Sequence, residues 1–142
     1  MRVSLVAVLV LLAVVTGTVV SGQSRSVWDG VYTEEQAQSG GALYGERCAL
    51  CHGASLTGGE SAPALVGPNF NANWEGVALG DLLERMRVSM PQDNPGLLSR
   101  RQNAEVLAYI LSVGRFPAGE RPLPREAEAL ALITFRSNRP EP

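Results

Sequence analysis

Polar and apolar residues repeat at helical spacing in three places along this chain, and nowhere do they alternate as a sheet would demand. The first place runs from Glu34 to Cys48, where Ala37, Gly40, Tyr44 and Cys48 share one face. Thr33 with Gln36 forms a capping box at its start, and Glu34 and Glu35 complement the helix dipole. Gly40 and Gly41 each cost about 1 kcal/mol relative to Ala inside a helix, which implies a close approach by another helix. The second place is short: Leu79, Leu82, Leu83 and Met86 follow a helical face, with an N-terminal box of Asp81 and Glu84. It is expected to end near Val88, because Pro91 and Pro95 block continuation. The third runs from about Arg100 to Val113, with a Ser99–Gln102 box, an apolar face of Val106, Tyr109, Ile110 and Val113, and Gly114 as the stop before Pro117. It is expected to cross the first helix near Gly40 and Tyr44.

The intervening segments read differently. Gln23 to Tyr32 is a polar lead-in whose Ser, Arg and Gly content argues against regular structure; Trp28 within it is expected to cover the body of the domain. Gly53 to Asn73 reads as loop, with Gly58-Gly59, Pro63 and Pro68. The tail is proline-rich from Pro117 to Pro124, then a helical segment is expected over Glu126–Phe135 using Leu130 and Ile133, with Arg136–Pro142 frayed. The expected fold class is all-α, with three core helices. Residues 37–124 form the body, 23–36 an N-terminal extension and helix start, and 125–142 a partly helical tail. There is no internal repeat.

Residues 1–22 stand apart. Met1-Arg2 precedes an apolar run, Val3 to Val15, broken only by Ser4, and small residues follow to Gly22. This predicts a secretory signal cleaved after Gly22. The alternative is an uncleaved anchor, since the segment counted to Val20 is almost long enough to span a bilayer.

Chemistry concentrates in Cys48-Ala49-Leu50-Cys51-His52, which holds both cysteines and the single histidine of the chain. C-x-x-C-H reads as c-type haem attachment: two thiols reach two vinyl carbons and the next imidazole ligates the iron. Two cysteines and one histidine placed at random would fall in this order roughly once in ten thousand arrangements, so the motif is specific. A Cys48–Cys51 disulfide would close a tiny loop and restrain little. A thioredoxin-like pair needs a strand–helix context, and zinc needs a fourth ligand that no other Cys or His supplies.

Composition agrees. Aromatics are 6% of the chain, thin for a core, and a buried haem would supply apolar contact. The formal charge is −2, and all 12 basic residues are Arg without a basic tract, which removes support for nucleic-acid binding. Covalent haem attachment and an export signal together predict a periplasmic address.

A thioether as sixth ligand suits electron transfer, because Met raises the potential and both ligands persist between redox states. Past Met1 the candidates are Met86, on the apolar face of the short helix and so read as core, and Met90, in the proline-stiffened run Ser89-Met90-Pro91. Met90 is the expected ligand; an open sixth position is the alternative. Pro63 to Gly67 is expected on the proximal side, with a backbone carbonyl there accepting the His52 Nδ1–H. Trp74 either donates its indole N–H to a haem propionate or is buried at the domain edge.

On these residues the chain resembles a bacterial class I c-type cytochrome, a compact mono-haem domain, from about Gly40 to Pro124. The resemblance rests on Gly40, Tyr44 and Cys48, the haem box to His52, Pro63 and Leu65, Ser89-Met90-Pro91, and Val106 to Leu111. It implies a small cytochrome c-like fold around one covalently bound haem c, thioether bonds at Cys48 and Cys51, iron ligation by His52 and Met90, and crossed N- and C-terminal helices. Val27 to Tyr32 and Leu56 to Glu60 are similar to small cytochromes accompanying quinoprotein dehydrogenases. Gly114-Arg115 departs from the Asn-Gly of the family, and no Lys is present for a lysine-rich docking face. The implied function is a non-enzymatic one-electron shuttle between partners such as a periplasmic dehydrogenase and an oxidase or another cytochrome. One alternative is a haem enzyme or gas sensor with a displaceable sixth ligand, with Glu60, Arg85 and Arg87 near the site. The other is a permanent haem subunit of a dehydrogenase complex.

Overall fold

A computed structural model describes residues 25–141. In chain order its elements are strand β1 (Arg25–Ser26), helices α1 (Glu34–Arg47), α2 (Ala49–His52), α3 (Pro68–Trp74), α4 (Leu79–Ser89), α5 (Arg100–Val113) and α6 (Ala127–Leu130), and strand β2 (Ile133–Thr134). The signal or anchor expected over residues 1–22 lies outside the described residues. No helix among the described residues is long and apolar enough to cross a membrane. The all-α class holds, with the two-residue strands as its only addition among the described residues.

α1 and α5 are the longest helices and pack on each other. α5 runs over the predicted residues, and its capping box is complete: Ser99 N–H donates to Gln102 Oε1 at 3.0 Å and Gln102 N–H to Ser99 Oγ at 3.3 Å. The Gly40 backbone lies so close to α5 that a Cβ there would overlap the Glu105 carbonyl. At Gly41 a Cβ would sit 3.1 Å from the Tyr109 ring. The helix-propensity cost of this glycine pair therefore offsets a gain in interhelical contact. Tyr44 and Tyr109 meet across the crossing with ring centroids 5.4 Å apart.

At the start of α1 only half of the expected box forms. Gln36 N–H donates to Thr33 Oγ1 at 3.2 Å, but the Gln36 amide turns to Leu123, donating to its carbonyl at 3.0 Å and accepting its N–H at 2.6 Å. A backbone pair returning from 87 residues away claims the side chain.

Three other expectations are corrected. The stretch Gly53–Asn73 is not all loop: α3 begins at Pro68, where a fixed φ and a missing N–H cost nothing. Phe70 and Trp74, four apart, were its only periodic signal. α4 starts at Leu79, not at an Asp81–Glu84 box. Ala78 is the N-cap without a side-chain bond, and Glu84 instead accepts from Arg87 at 2.6 and 2.9 Å. Leu79 is fully buried and Ala78 bridges Thr134, so tertiary packing sets this start. Gly114 ends α5 as expected, at φ −68°, while the left-handed residue is Arg115 at φ 66°. Gly114 supplies space instead, since a Cβ there would lie 3.1 Å from the Phe116 ring.

The third correction concerns both ends. β1 pairs parallel with β2, Arg25 with Ile133 and Ser26 with Thr134. Strands of two residues leave no alternation to read. The last helix is only α6, and the chain beyond it is extended. Arg136 and Ser137 are not frayed: Ser137 N–H and Oγ–H both donate to Glu75 Oε2 at 2.6 Å, and Arg136 accepts the Trp28 indole N–H at 2.9 Å. Trp28 covers the body of the domain as expected, against Phe116 at 4.9 Å. Phe116, Phe135, Phe70 and Trp74 continue the row at 5.2, 5.8 and 6.3 Å between successive centroids. All three Phe and both Trp thus form one row, which is how so few aromatics build a core.

Candidate functional site

α1 stops at Arg47 because Cys48 leaves helical geometry, at φ −125° and ψ −34°. Cys48 closes one helix and opens the next. Its N–H donates to the Tyr44 carbonyl at 2.9 Å, and its carbonyl accepts from Cys51 at 3.2 Å and His52 at 3.0 Å. The single turn of α2 thus presents Cys48 and Cys51 three residues apart on one side. Both are free thiols, Cys48 half-buried and Cys51 exposed. Burial, and then the neighbouring Cys51, push the Cys48 thiol up. Leu50 between them is 98% exposed, so the turn faces its apolar spacer outward.

His52 is buried, and its Nδ1 lies 2.8 Å from the Pro63 carbonyl oxygen. A carbonyl only accepts, so Nδ1 carries the proton and Nε2 keeps its lone pair for a metal. The backbone of the following segment holds this carbonyl in place. Gly58 N–H donates to the His52 carbonyl at 2.9 Å, Gly59 N–H to Ala62 at 3.0 Å, and Leu65 N–H to Leu56 at 2.8 Å. Leu56 is fully buried in the left-handed region at φ 62°, a strained conformation that its burial offsets. Gly58, at φ 74°, passes directly against residues 62–64; a Cβ would lie 2.5 Å from Ala64 N and 2.8 Å from the Pro63 carbonyl carbon.

Two contributors were missed at the level of sequence. Gly58 read only as a turn residue. The Tyr44 hydroxyl donates to the Gly53 carbonyl at 2.6 Å, tying α1 to the end of α2. Burial, with Cys48 and Tyr109 adding to it, pushes that hydroxyl up to about 12. Nothing in the sequence says which backbone passes which, so neither contact had a local signal.

The structure gathers Cys48, Cys51, His52 and Pro63 into one knot. Met90 and Trp74 come from other elements. Met90 is the C-cap of α4, half-buried and extended at φ −126° and ψ 150°, with its N–H donating to Met86 at 2.9 Å. The Met90–Pro91 peptide is cis. Met86 is half-buried against the core, in keeping with a packing role. Trp74 ends α3, half-buried beside Phe70. Glu60 and Arg85 are exposed, and Arg87 is paired with Glu84.

Among the described residues no three His, Cys, Asp or Glu side chains gather to hold a bare metal ion. Two free thiols one turn apart, beside an imidazole with only Nε2 to offer, instead fit a metal already held in a macrocycle that the thiols tether.

Comparison with known proteins bears on this donor set. The family model described as cytochrome C oxidase, cbb3-type, subunit III matches residues 35–110, more than half of the chain. A search of curated proteins finds no match. A chain in the crystal structure of the sulfane dehydrogenase SoxCD from Paracoccus pantotrophus is similar at a TM-score of 0.47 with 21% identity, over 63% of this chain and 53% of that one. This chain thus spans about half the length of that relative. The family match begins in the first turn of α1 and ends near the end of α5, enclosing the Cys48–His52 turn, Pro63 and Met90. The chain belongs to the family of the cbb3-type cytochrome c oxidase subunit III: it is a bacterial class I c-type cytochrome, a haem-based electron-transfer protein with haem c bound covalently.

Proposed function

We propose that this cytochrome is a periplasmic one-electron shuttle whose iron is held by His52 and Met90. One observation carries the reading: the buried His52 ring has Nδ1 engaged by Pro63 at 2.8 Å, beside both thiols. That bond fixes the tautomer and orientation of the imidazole and leaves Nε2 as the ligand atom. When bound, haem c supplies a one-electron ferric–ferrous couple. Cys48 and Cys51 would tether it; Trp74, half-buried at the end of α3, is either a donor to a propionate or a residue of the domain edge. Met90 stands at a helix end, half-buried and followed by proline, as a thioether ligand that does not swing away between redox states should. No residue is left to act as a distal histidine, because His52 is the only one. That counts against peroxidase-type chemistry and favours a carrier of single electrons. Its partners, a periplasmic dehydrogenase as donor and an oxidase or another cytochrome as acceptor, would dock through small, transient interfaces. The export-type segment over residues 1–22 supports the address.

The test is the visible spectrum of the holoprotein, oxidised and reduced, with and without carbon monoxide. A low-spin spectrum with a sulfur–iron charge-transfer band and no carbon monoxide shift is expected. Met90→Ala should abolish the band, lower the potential and admit carbon monoxide. A high-spin wild type, or a Met90→Ala protein with an unchanged spectrum, would sink the ligand assignment.

The family's description as an oxidase subunit favours a second reading, in which the same haem site serves as a permanently docked subunit. A stable partner that copurifies through high salt would favour it over the shuttle.

A further inference from the structure

The C-terminal tail lies beyond the family match, yet it is fastened to the base of the helix that ends at Met90. The fastening is continuous along residues 75–80. Glu75 accepts from Ser137, Gly76 N–H donates to the Phe135 carbonyl at 2.9 Å, and Phe135 N–H donates to Val77 at 2.8 Å. Ala78 bridges Thr134, and the Gly80 backbone lies against α6, where a Cβ would meet Ala127, Leu130 and Ala131 at 3.4–3.6 Å. Leu130, Ile133 and Phe135 are buried in the same core as Leu79, Leu82 and Leu83 of α4.

The other side of Met90 offers little restraint. Residues 92–97 are exposed, and the chain is next anchored at Leu98 and Ser99, whose carbonyls both accept from the Asn103 amide at 3.0 Å. The position of Met90 is therefore inherited from α4, which packs on α5 and on the tail. α4 is a lever of 11 residues. At its length of about 16 Å, a tilt of about 10° at Leu79 would carry Met90 by roughly 3 Å. A ligand constellation tolerates displacements of only about 0.5 Å.

We propose that the tail segment Ala127–Ser137 is a positioning element for the sixth ligand: by clamping the first turn of α4 it holds Met90 where its thioether binds. This rests on the assignment of Met90 as ligand. The tail then sets the strength of the sulfur–iron bond, and with it the potential, from outside the family domain.

The experiment compares full-length holoproteins carrying Leu130→Ala, Phe135→Ala or Met90→Ala, with Val106→Ala in the α1–α5 crossing as a control for general destabilisation. Potential, charge-transfer band and carbon monoxide binding are read below each protein's unfolding transition. Leu130→Ala and Phe135→Ala should weaken the band, shift the potential toward that of Met90→Ala and admit carbon monoxide, while Val106→Ala lowers the melting temperature and leaves all three unchanged. Tail variants with the wild-type band and potential overturn the proposal, provided that Met90→Ala loses the band. Val106→Ala shifting the readouts as much as the tail variants also overturns it. If Met90→Ala itself changes nothing, the ligand assignment fails and the positioning role falls with it.

Discussion

The segment after the cysteine pair carries the carbonyl that engages His52, the segment after α4 follows Met90, the proposed ligand, and the two are held in different ways. From Gly53 to Leu65 the backbone is knitted to itself and to α1. His52, Leu56, Ala62 and Gly53 carbonyls each accept a bond from within or beside the segment. From Pro91 to Leu97 the chain makes two backbone bonds, Asn94 N–H to Pro91 at 3.0 Å and Leu97 N–H to Asn94 at 3.2 Å, and residues 92–97 lie in solvent. A group in a self-bonded segment, such as the Pro63 carbonyl, is aimed locally. Met90, at the end of a helix, is aimed by whatever holds that helix, and on the proposal above that includes a tail from the far end of the chain.

Substitutions can break this contrast, beginning with Gly58→Ala. A Cβ at 2.5 Å from Ala64 N and a left-handed φ should together cost about 2–3 kcal/mol in urea unfolding. Because the displaced strand carries the Pro63 carbonyl, holoprotein yield should fall as well. A stable Gly58→Ala protein with a normal spectrum would show that the knit is dispensable.

Tyr44→Phe removes the bond to Gly53 and should cost about 1 kcal/mol. Its pH dependence sharpens the point. The hydroxyl is raised from 10.0 to about 12 in the folded state, so its contribution is fully present below pH 10 and is lost as pH rises through about 12. The stability gap between wild type and Tyr44→Phe should therefore narrow over that window, as followed by urea titrations at fixed pH. A constant gap would mean that the hydroxyl titrates alike in the folded and unfolded chains, so that burial does not raise it.

The smallest effect is expected on the other segment. Asn94 is exposed, and its bonds are backbone bonds, so Asn94→Ala should change stability by less than about 0.5 kcal/mol and leave the potential unaltered. A large shift in potential from this change would show that the exposed turn itself aims Met90.

Much of this protein was legible because its rules are local. α5 announced itself through Ser99, Gln102 and a helical face, all within one stretch. The cysteine pair and His52 occupy a single helical turn, so their order in sequence is already their order in space. Gly40 signalled a close crossing because a poor helix former in mid-helix needs a compensating contact. The sequence by itself thus determined the helix class, the crossing and the tethering turn. The carbonyl for His52 was expected within Pro63–Gly67, and only the tertiary structure decided that Pro63 itself supplies it and that Gln36 turns to Leu123. It alone placed the start of α4 against Thr134 and joined Arg25 to Ile133 as paired strands. Each of these joins backbone groups that are distant in sequence or carried by featureless turns, where no periodicity or cap marks the partner. Their partners exist only once the core has brought the two stretches together, and burial then makes every unpaired backbone group costly enough to fix the pairing.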